Sequence, residues 1–186
     1  MGKRLFIAAD VSDETRALIR AIQSELHFYK GSIRFVIPQN VHLTLKFLGD
    51  VPEEAIPEIE KRIAISVSGF QKFNYICRGT GVFPNVRKPR VLWLGIVKGN
   101  NILKQLSNSL QQQLKDMPVQ QDDKEFRSHV TIGRIKNYRE HLVKLDEFLR
   151  YNYGEINNPV SEIVLYESML LPKGPIYTSL KKFKLQ

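Results

Sequence analysis

Residues 41–49 (VHLTLKFLG) and residues 128–136 (SHVTIGRIK) repeat one pattern, in which a histidine is followed two places later by a threonine, with aliphatic residues between and after them. On a β-strand, side chains two positions apart face the same side. Each copy therefore predicts a strand that projects an imidazole and a hydroxyl together and packs its aliphatic residues on the other face. The two copies lie almost half the chain apart. This distance is too long for a stacked solenoid and indicates two similar half-molecules that each supply one strand to a shared site.

The doubling of the pattern is what makes it informative. The chain has four histidines, and at average threonine usage two such coincidences arise by chance in about one sequence in fifty. The matched aliphatic positions lower that figure further. The alternative is that His42 and His129 are half-buried strand residues with threonine neighbours. For the other two histidines, His27 and His141, a surface or helix-cap role is favoured over catalysis.

The side chains that the two motifs bring together suit phosphodiester hydrolysis. His42 and His129 can act as one general acid and one general base near neutral pH. The hydroxyls of Thr44 and Thr131 can donate hydrogen bonds to phosphate oxygens. Arg134 lies at an odd offset from His129, which on a regular strand would turn it to the opposite face. A bend or bulge near the preceding glycine is therefore expected if its guanidinium is to hold a phosphate.

The sequence offers little support for a metal or a bound cofactor. A zinc site built on the two motif histidines lacks a third ligand, because no spacing selects Asp10, Asp50 or Glu167. The chain contains no Walker loop and no Gly-x-Gly-x-x-Gly, so an ATP or dinucleotide site is unsupported. Cys77 is the only cysteine, which excludes an intramolecular disulfide and a Cys-x-x-Cys metal site. We expect no metal and no cofactor.

Composition favours a polyanionic partner and a cytoplasmic location. The net charge is +9 and the isoelectric point about 9.7, which favours nucleic acid over an anionic membrane, although general solubility is an equal explanation of the charge alone. No apolar run approaches the roughly 20 residues that a membrane span needs. The first ten residues resemble a strand more than a signal peptide. No obligate protein partner is inferred.

The remaining patterns predict an α+β fold in one domain that covers residues 1–186, with antiparallel or mixed sheets. A helix is expected to begin at Ser12, which offers N-cap chemistry. Other helices are expected after Pro52, along the leucine stripe from Ile102 to Leu114, and around Leu142 and Leu149. The expected strands cover residues 4–9, 33–36, 42–48, 73–82, 90–96, 128–135, 160–168 and 176–184.

These features resemble the two-histidine phosphoesterase family, and in particular its LigT-like branch of RNA 2′,3′-cyclic phosphodiesterases. The resemblance extends over nearly the whole chain, because it includes the flanks of both motifs and segments near both ends. The matching segments are residues 4–8, 40–49, 81–85, 89–93, 126–134, 166–168 and 172–177. Ser128 is a departure, because members of the family often have proline before the second histidine.

The resemblance implies two α+β lobes related by a pseudo-twofold axis, with the site in the cleft between them. It also implies metal-free hydrolysis of an RNA 2′,3′-cyclic phosphate to a 2′-phosphate, on substrates that could include tRNA fragments. In that scheme His42 protonates the departing 3′ oxygen, His129 activates water, and Thr44, Thr131 and Arg134 hold the phosphate. The alternatives are a 2′-5′ RNA ligase and a non-catalytic module that binds RNA ends.

Aromatic residues near the motifs are candidate platforms for stacking a base. The candidates are Phe6, Phe47, Phe83 and Tyr177, although a core role is favoured for each. Arg90 and Lys136 could line a basic approach path to the site, with solvated surface charge as the favoured role of Lys136.

Overall fold

The computed structural model describes residues 2–26, 31–121, 124–136, 145–172 and 174–186, and within them the chain forms nine β-strands and four α-helices. The strands are β1 (Gly2–Asp10), β2 (Ile33–Phe35), β3 (His42–Pro52), β4 (Phe73–Phe83), β5 (Val91–Lys98), β6 (His129–Ile135), β7 (Ile156–Val160), β8 (Glu162–Leu171) and β9 (Gly174–Lys184). The helices are α1 (Asp13–Glu25), α2 (Ile56–Val67), α3 (Asn100–Gln113) and α4 (Leu145–Leu149).

The strands form two sheets that correspond to the two lobes. Sheet A has the order β3-β1-β8-β9, and sheet B has the order β2-β6-β5-β4-β7. Every pairing is antiparallel. The prediction of a two-lobed α+β fold is confirmed. The sheets are not contiguous halves of the chain, however, because the C-terminal β8 and β9 complete sheet A and the early strand β2 joins sheet B.

The two motif strands lie in different sheets and share one burial pattern. The first seven residues of β3 and the seven residues of β6 have the same burial at each successive position. The aliphatic residues Leu43, Leu45, Val130 and Ile132 are all buried in the core. The histidines and threonines are half-buried. The predicted division of each motif into a packing face and a groove face is therefore present in both sheets.

The helices cover the sheets through apolar stripes, as their spacing predicts. Ser12 caps α1, because its hydroxyl accepts a hydrogen bond from the backbone N–H of Thr15 at 3.2 Å. Leu103, Leu106 and Leu110 of α3 are fully buried. The described part of α4 begins at Leu145, and the predicted positions of Leu142, His27 and His141 lie outside the described residues. None of the described helices is long and apolar enough to cross a membrane.

Candidate active site

A groove of about 790 Å³ lies where the motif strands β3 and β6 approach each other. It is lined by residues of both sheets, and all five side chains singled out by the sequence reach it. These are His42 and Thr44 from sheet A, with His129, Thr131 and Arg134 from sheet B. A second cavity of about 610 Å³ shares residues 35–37 with this groove as lining, and neither His42 nor His129 lines it.

Each catalytic candidate histidine is oriented by a backbone carbonyl two residues before it. The Nδ1 atom of His42 lies 2.8 Å from the carbonyl oxygen of Asn40, and that of His129 lies 2.7 Å from the carbonyl oxygen of Arg127. A carbonyl oxygen can only accept, so this contact assigns the proton of the neutral ring to Nδ1. The Nε2 atom of each ring then carries the lone pair that can take a proton from a substrate or, once protonated, return it.

Aromatic neighbours bury both imidazoles. The ring of Phe6 stacks on His42 with 4.7 Å between centroids, and Tyr177 meets His42 edge-on at 5.3 Å. Phe83 meets His129 edge-on at 4.9 Å. Three of the four predicted base platforms therefore pack against a histidine. The fourth, Phe47, is 45% exposed in the groove.

This burial lowers the pKa of both histidines. Desolvation brings the pKa of His42 down to about 4, with the carbonyl of Asn40 and the charge of Asp10 opposing the shift. Desolvation also lowers the pKa of His129, and the nearby charge of Arg134 adds to that effect. Both rings are therefore neutral at pH 7 in the free protein. An anionic ligand in the groove would favour their charged forms.

A β-bulge follows the threonine in each motif. In the pairing of β1 with β3, Ile7 is opposite Lys46 and Ala8 is opposite Thr44, so Leu45 is the extra residue. In the pairing of β5 with β6, Ile132 is extra in the same way. A bulge shifts the alternation of the strand by one residue. The bulge expected near Gly133 is present, and it returns Arg134 to the groove face beside Thr131.

The carbonyl groups of both extra residues, Leu45 and Ile132, accept hydrogen bonds from other parts of the chain. The hydroxyl of Ser107 on α3 donates to the carbonyl of Leu45 at 2.8 Å. In the second motif, the backbone N–H of Val36 and the side-chain amide of Gln23 donate to the carbonyl of Ile132, at 3.0 and 3.2 Å. A buried carbonyl without a partner is costly, so these contacts stabilise the bulged form of both strands.

The two lobes present different side chains at equivalent places. Phe47 lies five residues after His42, and Arg134 lies five residues after His129. Both side chains are exposed. Both reach the groove, one as an aromatic ring and the other as a guanidinium. Leu170 and Pro172 of the β8–β9 hairpin line the groove together with Phe47. Sheet A therefore lines the groove with apolar side chains beside a single cation, Arg4 on β1.

The lining of the groove is cationic, with four basic side chains and no acidic one among the described residues. The basic residues are Arg4, Arg34, Arg134 and Lys136. Arg90, an alternative candidate, does not line the groove. Burial raises the pKa of Tyr177, and the charges of Arg134 and Arg4 oppose that rise, which places both cations near its phenol.

Arg34 and Asn40 are among the groove residues that the sequence did not single out. Arg34 is directly opposite Arg134 in the pairing of β2 with β6. Asn40 donates from its side-chain amide to the carbonyl of Pro175 at 2.8 Å, which ties the turn before His42 to the β8–β9 hairpin. The resemblance to the family placed Asn40 in a matching segment without a role. Arg34 carried no signal, because its position depends on which strands are neighbours.

The acidic residues considered as metal ligands are engaged elsewhere or lie outside the groove. Asp10 pairs with Arg16 at 3.4 Å and Glu167 pairs with Lys3 at 3.0 Å. Asp50 does not line the groove. Among the described residues, no cluster of three His, Cys, Asp or Glu side chains has the arrangement of a metal site.

The chain is similar along its whole length to a family of phosphoesterases. A family model described as LigT like phosphoesterase matches residues 10–93 and 95–177. The chain is 39% identical over 182 residues to an RNA 2′,3′-cyclic phosphodiesterase of Archaeoglobus fulgidus, covering 97% of this chain and 99% of the relative. It is 37% identical to the enzyme of that name from Methanothermobacter thermautotrophicus, over the full length of both.

Solved structures agree with these sequence similarities. The crystal structure of TT0787 of Thermus thermophilus superposes with a TM-score of 0.83 at 31% identity, covering 98% of this chain and 97% of that one. The crystal structure of E. coli LigT complexed with 3′-AMP superposes with a TM-score of 0.82 at 27% identity, covering 100% and 99%.

Proposed function

The chain belongs to the LigT-like phosphoesterase family, and we propose that it hydrolyses RNA 2′,3′-cyclic phosphate ends to 2′-phosphate ends by two-histidine acid–base catalysis. The observation that carries the proposal is the paired orientation of His42 and His129. Each ring donates from Nδ1 to a carbonyl and leaves Nε2 for a substrate, in one groove of suitable charge.

The proposed reaction moves two protons in one displacement at phosphorus. Water attacks the phosphorus atom, the bond from phosphorus to the 3′ oxygen breaks, and a 2′-phosphomonoester with a free 3′-hydroxyl remains. His129 takes the proton of the attacking water at Nε2, and His42 gives a proton from Nε2 to the departing 3′ oxygen. Each proton transfer contributes roughly 10²–10⁴ to the rate.

The burial of the histidines is compatible with these roles once substrate is bound. The cyclic phosphate carries a negative charge, which stabilises an imidazolium beside it and offsets the desolvation that lowers the pKa of both rings. A protonated His42 is then a strong acid, which suits protonation of an alkoxide leaving group. After one turnover His129 holds the extra proton and His42 lacks one, so exchange with solvent restores the starting state.

Three further side chains are proposed to hold the phosphate. The hydroxyls of Thr44 and Thr131 approach from the two lobes and donate to its non-bridging oxygens. The guanidinium of Arg134 offers a two-pronged contact to the same group. Because these groups come from both sheets, we also propose that residues 1–186 act as one two-lobed domain.

Product analysis on an RNA with a 2′,3′-cyclic phosphate end tests this function. In water labelled with ¹⁸O, we expect one labelled oxygen in a terminal 2′-phosphate, in many turnovers per protein molecule and equally with and without a chelator. A 3′-phosphate product, or a loss of activity with the chelator, would contradict the proposal.

The same assay distinguishes the two alternatives. A 2′-5′ ligase would give a joined product when an RNA with a 5′-hydroxyl is added. A module that only binds RNA ends would retain the cyclic phosphate and yield no product in excess of protein.

A further inference from the structure

One end of the groove carries a cationic strip formed by Arg34, Arg134 and Lys136. Arg34 on β2 and Arg134 on β6 are directly opposite in an antiparallel pairing, and Lys136 lies two residues beyond Arg134. All three side chains are exposed. None of them forms an ion pair with a carboxylate in the described parts of the chain.

The strip is unfavourable for the folded chain alone. Like charges directly opposite each other on neighbouring strands repel and destabilise the sheet, and no acidic side chain among the described lining residues compensates them. An external polyanion would relieve this repulsion. The arrangement therefore points to an anionic ligand that extends beyond the single phosphate held between the histidines.

The different side chains of the two lobes indicate over which sheet this ligand leaves the catalytic pocket. The position equivalent to Arg134 in sheet A is Phe47, and Leu170 and Pro172 line the groove with it. A phosphate chain that left the catalytic pocket over sheet A would meet the apolar ring of Phe47 and one cation, Arg4 on β1. A chain that left over sheet B would meet Arg34 and Lys136. The second exit has the greater positive charge, because Arg134 lies there as well, and it better matches the charge of a nucleic-acid backbone.

We propose that Arg34 and Lys136 bind the phosphodiester linkages on the 5′ side of the terminal nucleotide, so that the enzyme selects the end of an RNA chain over a free cyclic mononucleotide. This inference rests on the proposed function, in which Arg134 holds the cyclic phosphate. Two residues of extended chain span about 7 Å, so Lys136, just beyond the end of β6, lies about that far from Arg134. A flexible single strand can place successive phosphates at such intervals.

A comparison of substrates of different length tests the strip. The substrates are a nucleoside 2′,3′-cyclic phosphate and a trinucleotide that ends in the same nucleotide and cyclic phosphate. We expect the wild type to prefer the trinucleotide by about tenfold or more in kcat/KM, as for one added charge-assisted contact. Arg34→Gln and Lys136→Gln should each remove much of this preference and change turnover of the mononucleotide by less than about twofold.

The salt dependence separates a phosphate contact from an indirect structural effect. For single-stranded nucleic acid, each phosphate contact contributes about 0.7 to the slope of log affinity against log salt concentration. With the trinucleotide, the slope should therefore become shallower by about that amount in Arg34→Gln. Arg150→Gln removes the same charge from a residue that does not line the groove and should leave both the preference and the slope unchanged.

Binding measurements keep this inference distinct from the proposed reaction. By calorimetry, a trinucleotide with a terminal 2′-phosphate should bind more tightly than the nucleoside 2′-phosphate, and Arg34→Gln should reduce the difference. This result without hydrolysis would support the strip and refute the proposed function. Equal kcat/KM and equal affinity for short and long ligands, or equal losses for both in Arg34→Gln, would overturn the strip.

Discussion

Phe47 and Arg134 occupy equivalent positions in the two motif strands, each five residues beyond its histidine and each brought to the groove by the bulge after the threonine. The pseudo-twofold relation between the lobes therefore holds for the two histidines and the two hydroxyls but is broken at the next groove residue. A symmetric pair of histidines is thereby placed in an asymmetric groove, in which sheet B presents a guanidinium where sheet A presents an aromatic ring.

Replacing these two residues should have different effects on salt dependence. Arg134→Gln should lower kcat/KM for cyclic-phosphate hydrolysis by about 10- to 100-fold, because a charge-assisted contact to the phosphate is lost. It should also make the salt dependence shallower. Phe47→Leu keeps an apolar side chain and should leave the salt slope at its wild-type value. Steady-state kinetics between about 50 and 200 mM salt check this, and equal slopes in wild type and Arg134→Gln would count against a phosphate contact.

Removing either motif histidine should abolish most turnover while the fold survives. His42→Ala and His129→Ala should each lower kcat at least about 100-fold, since each removes one proton transfer. The double variant should be little worse than the poorer single one, because the two groups act in one step. His141→Ala, outside both motifs, is the matched control. Kinetics and thermal melting together check this, and a single variant with near wild-type kcat would refute the assignment.

The lowered pKa of both histidines predicts an acid-shifted pH profile. A bell-shaped plot of kcat/KM reports the free enzyme, so both limbs and the maximum should lie below pH 6.5. NMR titration of the His42 ring should give a midpoint near 4 in the free protein. Added inorganic phosphate should raise that midpoint. A midpoint near 6.5 without ligand would show that burial does not control this ring.

The lowered pKa of His42 also makes the free energy of unfolding depend on pH. The folded protein binds fewer protons than the unfolded chain between pH 4 and 6.5, so the free energy of unfolding should fall as the pH drops through this window. A shift from 6.5 to about 4 corresponds to about 3 kcal/mol. His42→Gln removes the titrating group, so its stability relative to wild type should improve between pH 6.5 and 4. Urea denaturation at several pH values measures the difference, and a constant difference would contradict the linkage.

Ser107 should matter to the reaction although it does not line the groove. Ser107→Ala leaves the carbonyl of the bulged Leu45 without its donor, which should cost about 1–3 kcal/mol of stability and loosen the strand that positions His42. Ser109→Ala on the same helix removes an equivalent bond, to the carbonyl of Ser66 at 3.0 Å. Both variants should melt earlier, but only Ser107→Ala should lower kcat. Equal kcat values for the two variants would show that the hydrogen bond to the bulged Leu45 has no effect on catalysis.

Much of the site could be predicted because the motif is local. The period of a strand places a histidine and a threonine on one face, and the odd offset of Arg134 already required the bulge that the structure has at Ile132. Buried aliphatic positions in both motifs followed from the same alternation.

The features that could not be predicted depend on contacts between distant segments. Arg34 is opposite Arg134 only because β2, which belongs to the N-terminal half of the chain, pairs with β6 in sheet B. Ser107 reaches Leu45 because α3 packs on sheet A. The low pKa of His42 arises from Phe6 and Tyr177, which come from opposite ends of the chain. None of these contacts leaves a periodic trace in the sequence.

The carbonyl groups that orient His42 and His129 have a consequence for how such a site can be assembled. In many enzymes a separate carboxylate, often distant in the chain, sets the tautomer of a catalytic histidine. Here each imidazole is set by the peptide group two residues before it. Each ring and the group that orients it therefore lie within one short stretch of backbone. Under the proposed mechanism, copying that stretch copies a working acid or base. A catalytic pair can then be assembled by duplication, and later substitutions determine the orientation of the substrate.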